Sequence, residues 1–333
     1  MHFHSILLMV LISGVVFVNG WTDAPNAIVG VVSTKALRYR SAVWFAALCN
    51  LLGLFVISAI SSSVAGTILS LGNFDAAGTQ KSLAAMMAVM AAIIVFATAA
   101  WAFGIPSSES HALIAALSGA TMALGGSVSA DAWRKVIIGL VMSLILSFAL
   151  GVLLSKIMVK RLVRMSTKAL DSAEIFAAGV MAFMHGAQDG QKFAAVFVAV
   201  GFILKNEPAT PIIDLRQYPL IVLFCGALIA LGTAVGGGRI IQNIGGKMVS
   251  LRKPQSFSAD IASGLCLLIA SLSGIPMSTT HTKTTAIMGA CALDKKNPVN
   301  YKIIGGVLFA WIFTFPACMS LGYIFTKIAA MLV

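Results

Sequence analysis

The sequence predicts an all-α polytopic membrane protein: two inverted-topology repeats with re-entrant helical hairpins and about 10 membrane segments. Three observations carry that expectation: the composition, a doubled set of motifs, and the placement of basic residues between apolar stretches. Of 333 residues, 59% are hydrophobic and 10% charged, where a soluble domain carries about 25% charged residues. The mean hydropathy is +0.96. This excludes an ordinary water-soluble enzyme and equally a disordered chain, which lacks so much apolar surface. Lipid is the remaining solvent. Apolar stretches run from end to end, leaving no separate soluble domain. The five cysteines stand singly in these stretches without CxxC spacing, and read as small apolar residues rather than a disulfide or metal framework. Residues 6–18 imitate a signal peptide, but no Lys or Arg precedes them and they belong to the repeat described next. A retained first helix is expected.

The doubling is visible as two pairs of motifs. Phe17, Gly20 and Asp23 recur as Phe183, Gly186 and Asp189, an offset of 166 residues. Gly104-Ile105-Pro106-Ser107-Ser108-Glu109-Ser110-His111, followed by Gly119-Ala120, recurs as Gly274-Ile275-Pro276-Met277-Ser278-Thr279-Thr280-His281, followed by Gly289-Ala290, an offset of 170. Two matches at nearly the same offset divide the chain into an N-terminal transmembrane repeat, 1–160, and a C-terminal inverted transmembrane repeat, 170–333. Each contains five apolar segments: about 5–34, 41–71, 83–104, 108–126 and 136–155, then 172–203, 218–238, 259–274, 282–293 and 303–332.

An odd number of crossings per half leaves the halves oppositely oriented. With the N-terminus outside, the loops at 35–40, 156–168, 239–253 and 294–302 fall inside and hold 15 Lys or Arg, against 6 outside. Both halves then obey the positive-inside bias. Because the basic residues are spread over these loops without interleaved aromatics, the net charge of +12 does not indicate nucleic acid. Inverted repeats with interrupted helices are the architecture of secondary transporters, with sites near the bilayer midplane.

The hairpin motif lies between short apolar segments and carries no Lys or Arg before its histidine. A chain that enters the membrane, turns at Gly104-Ile105-Pro106 and returns as a new helix fits that pattern. Ser107, Ser108 and Ser110, with Ser278, Thr279 and Thr280, then occupy helix starts, where unpaired N–H groups, the positive dipole end and hydroxyls favour an anion. Serine and threonine also cap helices with no ligand role. Asp23, Glu109 and Asp189 lie within or at the mouth of apolar segments, where carboxylates are costly and usually functional. Thr22 and Asn26 flank the first aspartate, and Gln188 and Gln191 the second. Such oxygen-rich sets suit Na⁺ at Asp23 and Asp189, or a proton. Lys192 stands where Asn26 stands in the first half, so a fixed positive charge replaces a neutral amide beside Asp189. Lys283 could do the same or reach back to the membrane surface. His111 and His281 are paired by the repeat, as stiffeners of the hairpins or as proton relays. Gly236-Gly237-Gly238 and Gly245-Gly246-Lys247 lack phosphate-loop spacing and read as a linker.

The stretch from Asn19-Gly20-Trp21-Thr22-Asp23 to Ile28 resembles the first signature of the inorganic phosphate transporter (PiT) family. His185-Gly186-Ala187-Gln188-Asp189-Gly190-Gln191-Lys192-Phe193 resembles its second-repeat copy, and the two Gly-Ile-Pro elements its hairpin signatures. The similarity covers nearly the whole chain. It implies cation-coupled phosphate symport by alternating access, with phosphate at the hairpin tips and cations at the two Asp motifs. The sequence departs from the pattern at Thr22 and Gln188, where the family commonly has Asn, at Gln191-Lys192, and at Glu109, where Ser or Thr is frequent. Na⁺ and H⁺ therefore both stand as the coupling ion, and a sulfate permease on the same scaffold is the alternative. No cofactor is expected, and no enzyme. A serine hydrolase built on Ser108 or Ser278 would need one asymmetric site, and here every candidate group is doubled. The expected partners are inorganic phosphate (or sulfate) and membrane lipid, in the plasma (inner) membrane; a homo-oligomer is left open.

Overall fold

The computed structural model describes residues 2–72, 77–103, 107–207, 212–235, 241, 248, 250–294 and 300–333. Among the described residues the chain is helical without strands, and an isolated bridge joins Gly72 to Val128. In chain order the helices are α1 (His2–Thr22), α2 (Val29–Ser33), α3 (Tyr39–Ile60), α4 (Ser63–Leu69), α5 (Thr79–Ala102), α6 (Glu109–Ala123), α7 (Ala130–Val141), α8 (Ser147–Leu162), α9 (Thr167–Lys205), α10 (Pro219–Val235), α11 (Lys253–Leu272), α12 (Thr279–Cys291) and α13 (Tyr301–Met331). A π-turn at Met142–Leu146 joins α7 and α8 into one rod. The turn at residues 104–106 and the glycine clusters at 236–238 and 245–247 lie outside the described residues.

Six described helical stretches are long and apolar enough to cross a bilayer: Ser5–Ser33, Tyr39–Ile60, Thr79–Ala102, Ala130–Leu162, Lys253–Leu272 and Ile304–Met331. The other apolar segments fall short for identifiable reasons. α6 and α12 have 15 and 13 residues, roughly 20 Å of helix against a hydrocarbon core of about 30 Å. α10 has 17 residues. α9 has 39, but His185, Gln188, Asp189, Gln191 and Lys192 interrupt its apolar run. Its side chains are distributed inside-out relative to a soluble protein. Trp44, Ile60, Phe176 and Ile312 are 65–73% exposed, whereas Asp23, Glu109, Asp189 and Lys192 are buried. That is the distribution lipid imposes.

Helices at corresponding places in the two halves make corresponding contacts. α3 packs on α9 as α10 packs on α1; α6 packs on α13 as α12 packs on α8; α5 meets α1, α6 and α13 as α11 meets α9, α12 and α8. The correspondence reaches single residues. Gly53 of α3 lies against the Phe183 carbonyl, and Gly232 of α10 against the Phe17 carbonyl. Gly151 of α8 lies against the Ala286 carbonyl, and Gly322 of α13 against that of Ala116. A Cβ at any of the four would overlap the carbonyl oxygen. Lipid tails give helices no hydrophobic reason to associate, so close backbone approach at small residues supplies the packing energy.

One difference between the halves bears on function. After Asp23 the helix breaks into a 3-10 turn, Ala24–Ile28, because Pro25 has no N–H to continue the ladder; the Asn26 N–H bonds the Asp23 carbonyl at 3.0 Å instead. Gln191 stands at the matching place in the second half, and α9 runs unbroken through Asp189. The helix is thus interrupted at Asp23 and continuous at Asp189. Elsewhere, the apolar segment 41–71 is split at Ser61–Ser62 into α3 and α4.

Polar contacts join several helix ends. Lys253 pairs with Asp171, Arg252 with Asp294 at 2.6 Å, and Thr34 donates to Glu174 at 2.8 Å. These contacts gather the neighbourhoods of the predicted inside loops at one end. At the other, Ser129 N–H bonds the Leu71 carbonyl, and the Leu215 N–H bonds Ser62 Oγ.

Candidate ion site in the helix core

Four elements deliver the site: the end of α1, the middle of α9, and the first turns of α6 and α12. Each hairpin helix binds the aspartate of the other half. Ser110 at the start of α6 donates to Asp189 Oδ1 at 3.1 Å; Thr280 at the start of α12 donates to Asp23 Oδ1. The Thr279 hydroxyl lies between the two aspartates, 3.2 Å from Asp23 Oδ2 and 3.2 Å from Asp189 Oδ2. Asn26 Nδ2 donates to Asp23 Oδ1 at 2.8 Å and to Thr280 Oγ1 at 3.0 Å. All of these side chains are buried.

Both helices begin the same way. Ser108 and Ser278 are N-caps whose hydroxyl oxygens accept the backbone N–H of His111 and His281, at 3.3 and 3.2 Å. The first intrahelical bonds run from Ala112 to Ser108 and from Thr282 to Ser278, so the N–H groups of Glu109 and Ser110, and of Thr279 and Thr280, precede the helical ladder. Ser107 stands just ahead of the first cap and is partly buried. The two serines bond their histidines through the backbone, not the imidazole. His111 and His281 instead meet edge-to-face at 4.6 Å, with His281 stacked on Trp311 at 3.8 Å and His111 against Phe315 at 4.6 Å. They tie the two hairpin helices to each other and to α13.

The remaining candidates divide. The Thr22 hydroxyl donates to Glu109 Oε1, which joins the end of α1 to the start of α6. Gln188 bonds backbone, donating to the Ile275 carbonyl and accepting from the Met277 N–H, both at 3.3 Å. Gln191 donates to the Ser61 carbonyl at 2.7 Å. Lys192 is fully buried and donates to Asp189 Oδ1 at 2.8 Å, to Ser110 Oγ at 2.6 Å and to the Met277 carbonyl.

Two contributors escaped sequence reasoning. His185 Nε2 lies 3.3 Å from Asp189 Oδ2, and its Nδ1 lies 3.1 Å from Asn50 Oδ1. Asn19 Nδ2 donates to Asp189 Oδ2 at 3.3 Å. His185 precedes Asp189 by four residues, one helical turn, and that spacing is the signal that would have found it; Asn19 holds the same place before Asp23 but meets the aspartate of the other half, which no local spacing shows. Asp23, His185 and Asp189 offer ligand atoms all within 4.8 Å of one another. With Glu109 beside them, three buried carboxylates converge, and the Lys192 ammonium touches one of them.

A second buried charge cluster was also not anticipated. Lys283 is fully buried and paired with Asp260, so it does not reach for the membrane surface. Ser256 and Asp260 both face Gly30, with Glu174 of α9 and Thr34, the residue that follows α2, nearby. By the repeat offsets, Glu174, Ser256, Asp260 and Lys283 correspond to Leu8, Met86, Met90 and Leu113, which belong to one apolar core.

Carboxylates and dipole-bearing helix starts converging inside a lipid-exposed helix bundle define a multi-pass integral membrane transport protein. The sequence comparisons name which one: the phosphate transporter family matches over residues 19–173 and 163–322, and the chain belongs to that family. It is 30% identical over 328 residues to a probable low-affinity inorganic phosphate transporter of Bacillus subtilis (strain 168), covering 96% of this chain and 95% of the relative. It is 35% identical over 312 residues to a protein of the same description from Rhizobium meliloti (strain 1021), covering 90% and 89%. In fold it is similar to a solved structure described as the sodium-dependent phosphate transporter, with a TM-score of 0.83 over 100% of both chains at 18% identity. Each of these proteins is named for phosphate and none for sulfate. The relatives are transporters, not enzymes.

Proposed function

We propose that this chain is a cation-coupled inorganic phosphate symporter working by alternating access, with Na⁺ or H⁺ as the coupling ion and no cofactor. The observation that carries the reading is the convergence of Asp23 and Asp189 on the starts of α6 and α12. The helix starts and their hydroxyls at Ser107, Ser108, Ser110, Ser278, Thr279 and Thr280 suit a phosphate. The carboxylates at the same place repel it until cations neutralise them. Each ligand therefore raises the affinity for the other by the same factor, which is coupling. The corresponding contacts of the two halves support a rocking of one repeat bundle against the other, and the opposite orientation of the halves belongs to the same proposal.

The test is phosphate uptake into proteoliposomes with Na⁺ and pH gradients imposed separately. Accumulation above equilibrium driven by one gradient is expected; equilibration without accumulation under both would make the chain a passive anion pathway. Asp23→Asn is expected to lower uptake about 100-fold or more, equivalent to about 2.7 kcal/mol, with the purified protein still folded. A wild-type rate would remove Asp23 from the cation role. Excess sulfate should leave labelled phosphate uptake unchanged, whereas competition as strong as that of unlabelled phosphate would reassign the anion.

A further inference from the structure

We infer that Lys192 is a tethered cation: its ammonium takes the place, in the second half, of one dissociable coupling ion, so the transporter moves one cation fewer than its two aspartate motifs would otherwise demand. The inference rests on the coupling reading above and concerns how many cations that coupling uses.

The repeat offsets supply the comparison. Asp189, Lys192, Ser110 and Met277 correspond to Asp23, Asn26, Thr280 and Ser107. In the second half the ammonium sits among a carboxylate oxygen, a hydroxyl oxygen and a backbone carbonyl, from Asp189, Ser110 and Met277. These are three hard oxygens of the kind a small monovalent cation takes, and they occupy the three donors a lysine carries. In the first half the same carboxylate and hydroxyl, from Asp23 and Thr280, meet the neutral Asn26 amide. Asn26 Oδ1 is buried there with no hydrogen-bond partner among the described residues. A buried amide oxygen without a partner beside an ionisable carboxylate is costly, and a cation at Asp23 would satisfy both.

The local backbone agrees with this division. Pro25 opens the chain after Asp23 into a 3-10 turn, whereas α9 is closed around Asp189 and the side chain of Lys192, one turn on, returns to the carboxylate. A lysine three residues along a continuous helix is covalently held at the site, so its charge stays with the protein through the cycle and carries no gradient energy. Glu109, which stands where the second half has Thr279, accepts from the Thr22 hydroxyl and is not among the three oxygens around the ammonium.

The experiment counts ions in Lys192→Asn and Lys192→Gln proteoliposomes against the wild-type chain. Charge moved per labelled phosphate is read from the membrane potential that nulls uptake, and cation use from the Hill coefficient for Na⁺ or for protons. Replacement by a neutral amide should raise both counts by about one, as one mobile cation replaces one fixed charge, whereas Lys192→Arg should keep the wild-type counts. If either amide variant is too slow to assay, radiolabelled Na⁺ binding and proton uptake by the purified protein are compared directly, with one additional cation bound expected. Counts unchanged in the amide variants would overturn the inference and leave Lys192 a structural ion pair. Loss of gradient dependence in the wild-type chain would instead overturn the coupling reading itself, which separates the two failures.

Discussion

Lys283 and Lys192 illustrate how differently a buried ammonium is used at two places in one bundle. Lys192 stands at the ion site, with three oxygen acceptors. Lys283 stands one turn along α12 from Thr279, against Asp260 near Glu174, where the pseudo-equivalent residues of the first half are leucine and methionine. The bundle therefore packs without that charge cluster. Removing one partner of a buried pair strands the other, which costs about 3–5 kcal/mol, while an apolar replacement of both is close to neutral. Lys283→Leu is accordingly expected to lower thermal stability in detergent sharply, and Lys283→Leu with Asp260→Met to recover most of it. Failure of the double variant to recover would show that Glu174, left behind, depends on Lys283 as much as Asp260 does. His111 and His281 also take their meaning at this scale. Ring contacts to each other, Trp311 and Phe315 make them fasteners of the hairpin helices.

At the scale of elements, the informative pair is α6 and α12, two short helices that start in the core. Their caps are interchangeable in geometry, Ser108 serving one and Ser278 the other. An N-cap hydroxyl is worth about 1 kcal/mol to its helix, and a cap that also orients first-turn N–H groups toward an anion is worth more to binding than to folding. Ser108→Ala with Ser278→Ala is expected to raise the KM for phosphate about tenfold, near 1.4 kcal/mol, with a smaller loss of thermal stability. An unchanged KM would confine both serines to helix capping. The break after Asp23 and the continuity of α9 at Asp189 follow from one difference, Pro25 against Gln191. Proline denies the ladder a donor, whereas glutamine spends its side chain on the Ser61 carbonyl and leaves the helix whole.

At the scale of the molecule, the two halves are held by close backbone contacts that repeat across the pseudo-symmetry. Gly53 on Phe183 and Gly232 on Phe17 are one such pair. A side chain at either forces two helices apart, with an overpacking cost of about 1–3 kcal/mol. Gly53→Ala and Gly232→Ala should therefore lower the melting temperature in detergent by similar amounts. Gly201→Ala, where a Cβ meets nothing within 4 Å, should leave it nearly unchanged. Equal melting temperatures for all three would show that these crossings do not hold the bundle. The same correspondence makes the crosswise bonding of the site a property of the whole. Ser110 reaches Asp189 and Thr280 reaches Asp23 only because each hairpin helix docks beside the other half.

The sequence by itself determined the solvent, the doubling and the residues that had to be special. Composition left lipid as the medium, two offsets exposed the repeat, and Asp23, Glu109 and Asp189 stood out because a carboxylate is expensive in an apolar run. It could not say what each polar group would touch. Asn19 looked like an ordinary helix residue until packing set it beside Asp189 of the other half. Gln188 read as a cation ligand and in the fold holds the backbone at Ile275 and Met277. The pairing of Lys283 with Asp260 joins helices 23 residues apart in the chain and was beyond any local pattern. The physical reason is the same in each case: burial and charge are written in the local run of residues, whereas a hydrogen-bond partner is chosen by which helices the bundle brings together.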